Sequence, residues 1–135
     1  MSAPVPPLPA VTPLTSALSE ALLDSPRLQH CASCGFVIYY PRVACPECLS
    51  TSLEWRPVSG AGEVLSYGVI WRSLHPAFSD QVPLWLCTVR LREGPVVVAL
   101  LDDAGPDGIP VGTPVRLVGV EVAAGIRVPR FVPMK

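Results

Sequence analysis

Four cysteines form the one grouping of side chains in this sequence with an evident chemistry: Cys31 and Cys34, then Cys45 and Cys48. They stand in Cys31-Ala-Ser-Cys34-Gly35 and Cys45-Pro-Glu-Cys48. A C-x2-C pair presents both sulfurs from one tight turn, and two such turns facing each other can close a tetrahedron around Zn²⁺. Gly35 relieves the backbone crowding just after the second ligand. With thiolate in every place, no position is left for water, so the expected Zn²⁺ is structural and not catalytic. Iron in a rubredoxin-like site would use the same ligands. Zinc is favoured because no flavin or nicotinamide motif accompanies the cysteines. The remaining readings are two disulfides or unrelated core thiols. A disulfide within a C-x2-C pair usually belongs to a redox motif at the head of a helix in a βαβ pattern, and no such pattern surrounds these pairs.

The other reactive side chains are scattered. His30, beside Cys31, is a possible fifth metal contact in principle, but four thiolates already fill the shell. Cys87 lies between Leu86 and Thr88 in an apolar run, the setting of an inert core thiol. His75-Pro76 sits in a loop. Asp102 to Pro110 holds three aspartates with two glycines and two prolines, which reads as a solvated loop. No acid, base and nucleophile converge, so catalysis by this chain alone is not expected.

The elements that must position the cysteines follow from turn and strand signals. Residues 1–12 are proline-rich and read as an extended, flexible arm. Thr12-Pro13 offers an N-cap and a first-turn proline, and Leu14, Leu18 and Leu22 fall on one helical stripe. A short amphipathic helix is therefore expected over 13–26. Its leucines either lid the chain's own core or dock on another protein. The ribbon, 27–56, is expected to hold a strand at Arg27–His30, a strand at Phe36–Tyr40 turning at Pro41-Arg42, and an exit strand from Ser50 to Trp55. From 57 to 135 the text is strand and turn: Glu63–Trp71, Leu84–Leu91, Val96–Leu101, Val115–Val122 and Ile126–Val132. Five strands of this length suggest a small closed barrel, with Gly60, Gly62 and Gly68 as places to bulge or bend. The fold class is thus mainly β: a short N-terminal helix, a four-cysteine zinc ribbon and a five-stranded closed barrel.

Composition narrows the partners. At 135 residues the chain can bury a real core. Half of it is apolar and 16% is charged, a lean polar surface that suggests cover by a partner. Net charge is −1, with nine arginines and one lysine against eleven acids, so no basic field draws in nucleic acid. No run of 18 apolar residues spans a membrane. No positive charge precedes Arg27, which argues against a secretory signal. A cytoplasmic, reducing location is expected, where thiolates stay available to metal.

Taken together, Cys31-x2-Cys34-Gly35, Tyr40-Pro41-Arg42, Cys45-Pro46-Glu47-Cys48 and Leu53-Glu54-Trp55 resemble an acyl-CoA-associated family that joins a rubredoxin-like zinc ribbon to an OB-fold. Further matches are Ser59-Gly60-Ala61-Gly62, His75-Pro76-Ala77-Phe78, Leu91-Arg92-Glu93-Gly94, Val111-Gly112-Thr113-Pro114 and Pro129-Arg130-Phe131. The resemblance covers roughly 17–133. It implies a non-catalytic accessory subunit that binds a thiolase-like enzyme, a sterol-carrier-type aldolase or an enoyl-CoA hydratase acting on acyl-CoA, and that in some members helps to hold the CoA. Two places depart from the family pattern: Leu18-Ser19 replaces an aromatic pair in the helix, and Pro83-Leu84-Trp85 replaces Pro-Tyr. The competing class is an OB-fold binder of single-stranded nucleic acid, stacking bases on Trp71, Trp85 and Phe78. The missing basic groove argues against it.

Overall fold

The computed structural model describes residues 8, 10–72, 75–102, 104, 108–123 and 125–134. Most of the proline-rich arm, residues 1–7 and 9, lies outside them, as do Asp103 and Asp107 of the acidic loop. The chain opens with helix α1 (Pro13–Ala21). Three strands form the ribbon sheet: β1 (Arg27–Cys31), β2 (Val37–Ile38) and β3 (Leu53–Pro57), in the order β2-β1-β3. Five more strands follow: β4 (Ala61–Ile70), β5 (Leu84–Leu91), β6 (Val96–Leu101), β7 (Pro114–Ala123) and β8 (Ile126–Pro133). They close a barrel in the order β4-β5-β6-β8-β7, antiparallel throughout except for the parallel pair β6–β8. This is the connectivity of an OB-fold.

Helix α1 starts as the sequence dictates. The Thr12 hydroxyl accepts the Thr15 N–H, the Thr15 hydroxyl accepts the Thr12 N–H in return, and Pro13 takes the first turn. It ends earlier than the expected residue 26, because the Leu22 N–H closes the last turn onto Leu18 O and Glu20 O. What lies beneath it decides the role of its stripe. Leu18 and Leu22 are 3% and 2% exposed and join one core with Leu28 of the ribbon and Val64, Val89, Leu117 and Phe131 of the barrel. Of the two roles the sequence leaves open for Leu14, Leu18 and Leu22, a lid on the chain's own core or a partner-binding stripe, the burial favours the lid: two of the three are in the chain's own core, and Leu14 is half-buried.

Two features fix the helix in place. Gly119 on β7 lies directly under it, where a Cβ would stand 2.3 Å from Leu22 O. The buried Ser19 hydroxyl donates to Gly125 O (2.9 Å) and accepts from the Arg127 N–H (2.8 Å), tying the helix to the β7–β8 turn.

The barrel differs from expectation in one detail. Its register shifts fall between Val64 and Ser66 on β4 and between Glu121 and Ala123 on β7 rather than at Gly60, Gly62 or Gly68. Gly62 instead permits close approach, since a Cβ there would meet Arg90 O at 2.7 Å, and Gly60 adopts φ +74°. The strand expected over Phe36–Tyr40 shortens to Val37–Ile38, because only His30 and Gln29 of β1 pair with it. Buried Gln29 replaces the missing pairing: its side chain accepts the Arg42 N–H (2.7 Å) and donates to Arg42 O (3.0 Å).

Candidate metal centre

Each cysteine pair sits on a turn of the same construction. The Gly35 N–H donates to Cys31 O (2.8 Å), and the Leu49 N–H donates to Cys45 O (2.9 Å). The residue after each second cysteine is left-handed, Gly35 at φ +80° and Leu49 at φ +65°. Leucine rarely adopts this conformation, so the second turn is held by its surroundings. The second turn is closed by Cys45 N–H to Ser50 O (2.8 Å), and the two turns are joined by Ala32 N–H to Ser52 O (2.8 Å) and a Ser33–Ser50 hydroxyl pair (2.9 Å).

As a result all four sulfurs converge to within 4.8 Å of one another. Cys31 and Cys48 stand 3.5 Å apart and Cys34 and Cys45 3.6 Å apart, and all are free thiols. A tetrahedral Zn–S₄ shell with bonds of about 2.3 Å places its sulfurs about 3.8 Å apart. The donor set therefore fits such a metal, whereas a disulfide needs about 2.05 Å. Cys31 and Cys45 are buried while Cys34 and Cys48 reach the surface.

The thiols share charge unequally. The backbone N–H of Cys34 pulls Cys31 down to about 6, and the N–H of Ser33 and the Cys48 thiol assist against desolvation. The N–H of Phe36 pulls Cys34 down, but burial and its contacts with Cys45, Cys48 and Cys31 outweigh it and push it up to about 12. A central cation is what would let all four ionise together. The Cys34 and Glu47 N–H groups already point at the Cys31 and Cys45 sulfurs (both 3.4 Å), as donors to thiolate would.

The other sequence candidates are elsewhere. His30 is not in the sulfur cluster; its Nδ1 lies 3.0 Å from Leu28 O. Cys87 is fully buried in the barrel, where burial pushes its thiol up. The His75 Nδ1 accepts the Ala77 N–H (3.1 Å) and caps the short turn Pro76–Phe78. Asp102 pairs with Arg130 at 2.9 Å. Trp85 packs on Tyr67 with ring centroids 5.1 Å apart and closes over Gly108, so it is not an open stacking platform; Trp71 is 73% exposed. Sequence reasoning missed Gln29, Ser19 and Gly119, none of which carries a local signal.

Ribbon and barrel together define a zinc-ribbon–OB-fold protein. Residues 27–54 match the family described as "ChsH2, rubredoxin-like zinc ribbon domain", and residues 55–120 match "ChsH2, C-terminal OB-fold domain". A solved chain described as "Ltp2-ChsH2(DUF35) aldolase" is 32% identical, with a TM-score of 0.80 over 93% of this chain and 98% of that one. A DUF35 domain-containing scaffold protein of Methanothermobacter thermautotrophicus is 37% identical over 65% of this chain and 66% of its own length. A probable enoyl-CoA hydratase alpha subunit of Thermomonospora curvata is 35% identical over 78% of this chain. This chain spans 33% of that relative's length. The chain belongs to the DUF35 family and carries its ChsH2-type zinc ribbon and OB-fold.

Proposed function

We propose that this chain is a non-catalytic accessory subunit that binds and organises a thiolase-like, aldolase or hydratase enzyme acting on acyl-CoA. The observation that carries the reading is the match over nearly the whole length of both chains to the ChsH2 chain of an aldolase assembly. The scaffold and hydratase-subunit names of its relatives point the same way. The placement of the reactive side chains agrees: Cys87 is in the core, His75 caps a turn, and Asp102 is paired with Arg130. The chemistry would then belong to the partner, and contact of this chain with the CoA moiety is part of the same reading.

The metal in this reading is Zn²⁺, held by Cys31, Cys34, Cys45 and Cys48. It supplies no chemistry to the reaction; it fixes the two turns and through them β1, from which Leu28 enters the common core. Four free thiols with two at the surface suit a reducing, cytoplasmic compartment. Among the described residues no helix is long and apolar enough to cross a membrane.

Affinity purification of the tagged chain from its native host, with identification of what co-elutes, tests this. The expected outcome is a stoichiometric thiolase-like, aldolase or hydratase subunit. Thioester cleavage or condensation by the isolated chain that is lost on Cys87→Ala or His75→Ala would overturn it.

A further inference from the structure

Three arginines stand together where β4, β5 and β7 meet at one end of the barrel. Buried Val89, Leu91, Val115 and Leu117 point inward, so by strand alternation Arg90 and Arg116 point outward; Arg92, just past β5, is exposed as well. β4 runs between the other two strands. Arg90 is opposite Glu63, and Glu63 is opposite Pro114. One rung further, the Arg92 N–H donates to Ala61 O (2.8 Å), and Ala61 is opposite Arg116. Arg92 and Arg116 therefore flank Ala61, about 10 Å apart at the backbone, and Arg90 lies about 7 Å along the strand from Arg92.

The chain leaves this charge unbalanced. Among the described residues the ion pairs are Arg56–Glu54, Arg127–Glu121 and Arg130–Asp102, and none involves these three arginines. Two acids lie nearby. Glu63 is exposed and makes no ion pair, and Glu93 has one carboxylate oxygen taken by the Ser59 N–H (2.8 Å) and the other buried. Between the strands is a groove of about 410 Å³, lined by Arg90, Arg92 and Glu63 together with Ala61, Pro114 and Met134.

We propose that this groove docks an acidic segment of the enzyme subunit that the chain serves, with its carboxylates held by Arg90, Arg92 and Arg116. This rests on the accessory-subunit reading and adds to it the place and the charge of the contact. Three cations on two strand rungs, with one exposed acid among them, attract an anionic surface and repel a basic one. Guanidinium fixes the donor chemistry, since its planar fork takes a carboxylate by two parallel hydrogen bonds. The surroundings favour a protein over a nucleic acid. Arginine and methionine are enriched at protein interfaces, and Met134 beside the arginines is 44% exposed. Three arginines neutralise only about three phosphates, against the 6–10 contacts typical of a DNA binder, and a net charge of −1 adds no long-range attraction.

Binding of the zinc-loaded full chain to the enzyme subunit that co-elutes with it, followed by surface plasmon resonance at several salt concentrations, tests this. Arg92→Glu with Arg116→Glu should weaken binding by about tenfold or more at low salt, mainly through slower association, and the deficit should shrink as salt screens the charges. Arg92→Gln with Arg116→Gln, which removes the charges without reversing them, should fall between. Arg72→Glu, at an exposed position just past the far end of β4, should leave binding unchanged. Circular dichroism should be the same for all of them, since every altered side chain is exposed. A subunit that binds the double Glu variant as tightly as the unaltered chain overturns this inference and leaves the accessory reading standing. If no enzyme subunit co-elutes at all, both are overturned. Loss of acyl-CoA or single-stranded oligonucleotide binding in the double Glu variant, with subunit binding intact, overturns it too, because the arginines then serve a phosphate.

Discussion

Leu18→Ala separates the two roles that the helix stripe could play. Leu18 is 3% exposed and packs in the core that also holds barrel residues such as Phe131. The substitution removes three buried carbons, about 2.4 kcal/mol of transfer free energy at about 0.8 per methylene. A residual cavity adds to this, and buried Leu→Ala changes span about 2–5 kcal/mol. Against a total of about 5–15 kcal/mol for a domain, that is a large fraction. In urea, with zinc saturating and a slope of about 2 kcal/mol per molar, a loss of about 3 kcal/mol moves the midpoint down by about 1.5 M. Leu14→Ala, at a half-buried site, should cost less than half as much. Far-ultraviolet circular dichroism and tryptophan fluorescence both report the transition. An unchanged midpoint for Leu18→Ala, with loss of association to an enzyme partner, would refute the placement of this helix and restore the docking stripe.

Removing the metal from the zinc-loaded chain with a strong chelator should unfold the ribbon, because structural zinc contributes about 10–16 kcal/mol apparent at neutral pH; loss of cross-strand NOEs between β1 and β3 reads this. Acid should do the same, since every thiolate must take up a proton to leave the metal, so zinc occupancy should fall as pH falls; elemental analysis across a pH series checks it. Gly119→Ala should destabilise the chain by about 1–3 kcal/mol, because its Cβ meets backbone of the helix and not a movable side chain; chemical denaturation measures it. Cys87 should resist alkylation in the native zinc-loaded chain and react on unfolding, because burial keeps its thiol protonated; the stability it contributes is full below the ordinary thiol value of 9.0 and is lost as pH rises through the raised one.

The cysteine cluster was legible because its members are local: two C-x2-C turns declare themselves within eighteen residues, and the four sulfurs converge as that spacing leads one to expect. The barrel was legible because β-branched runs separated by Gly and Pro turns leave little other choice, and strand ends fell within a few residues of Ala61–Ile70 and Leu84–Leu91. What the stripe Leu14-Leu18-Leu22 could not say is whose apolar surface lies beneath it, since a helix reads the same over its own barrel as over a partner. Its underlay, Gly119, is a hundred residues away and looks like any strand glycine. Ser19 and Gln29 were equally hidden. Each is a buried polar side chain whose partners, Gly125 and Arg42, are chosen by tertiary contact and not by neighbours in sequence.

The central claim is that this chain organises acyl-CoA chemistry performed by another subunit. Its most direct test is turnover of the copurifying enzyme subunit on an acyl-CoA substrate, measured with and without the zinc-loaded chain. The account predicts a stable complex, no turnover by the chain alone, and a gain in the enzyme's activity or stability that depends on the chain and is lost with Cys31→Ser and Cys48→Ser together. An enzyme equally active and equally stable without the chain, or turnover by the chain alone, would contradict it.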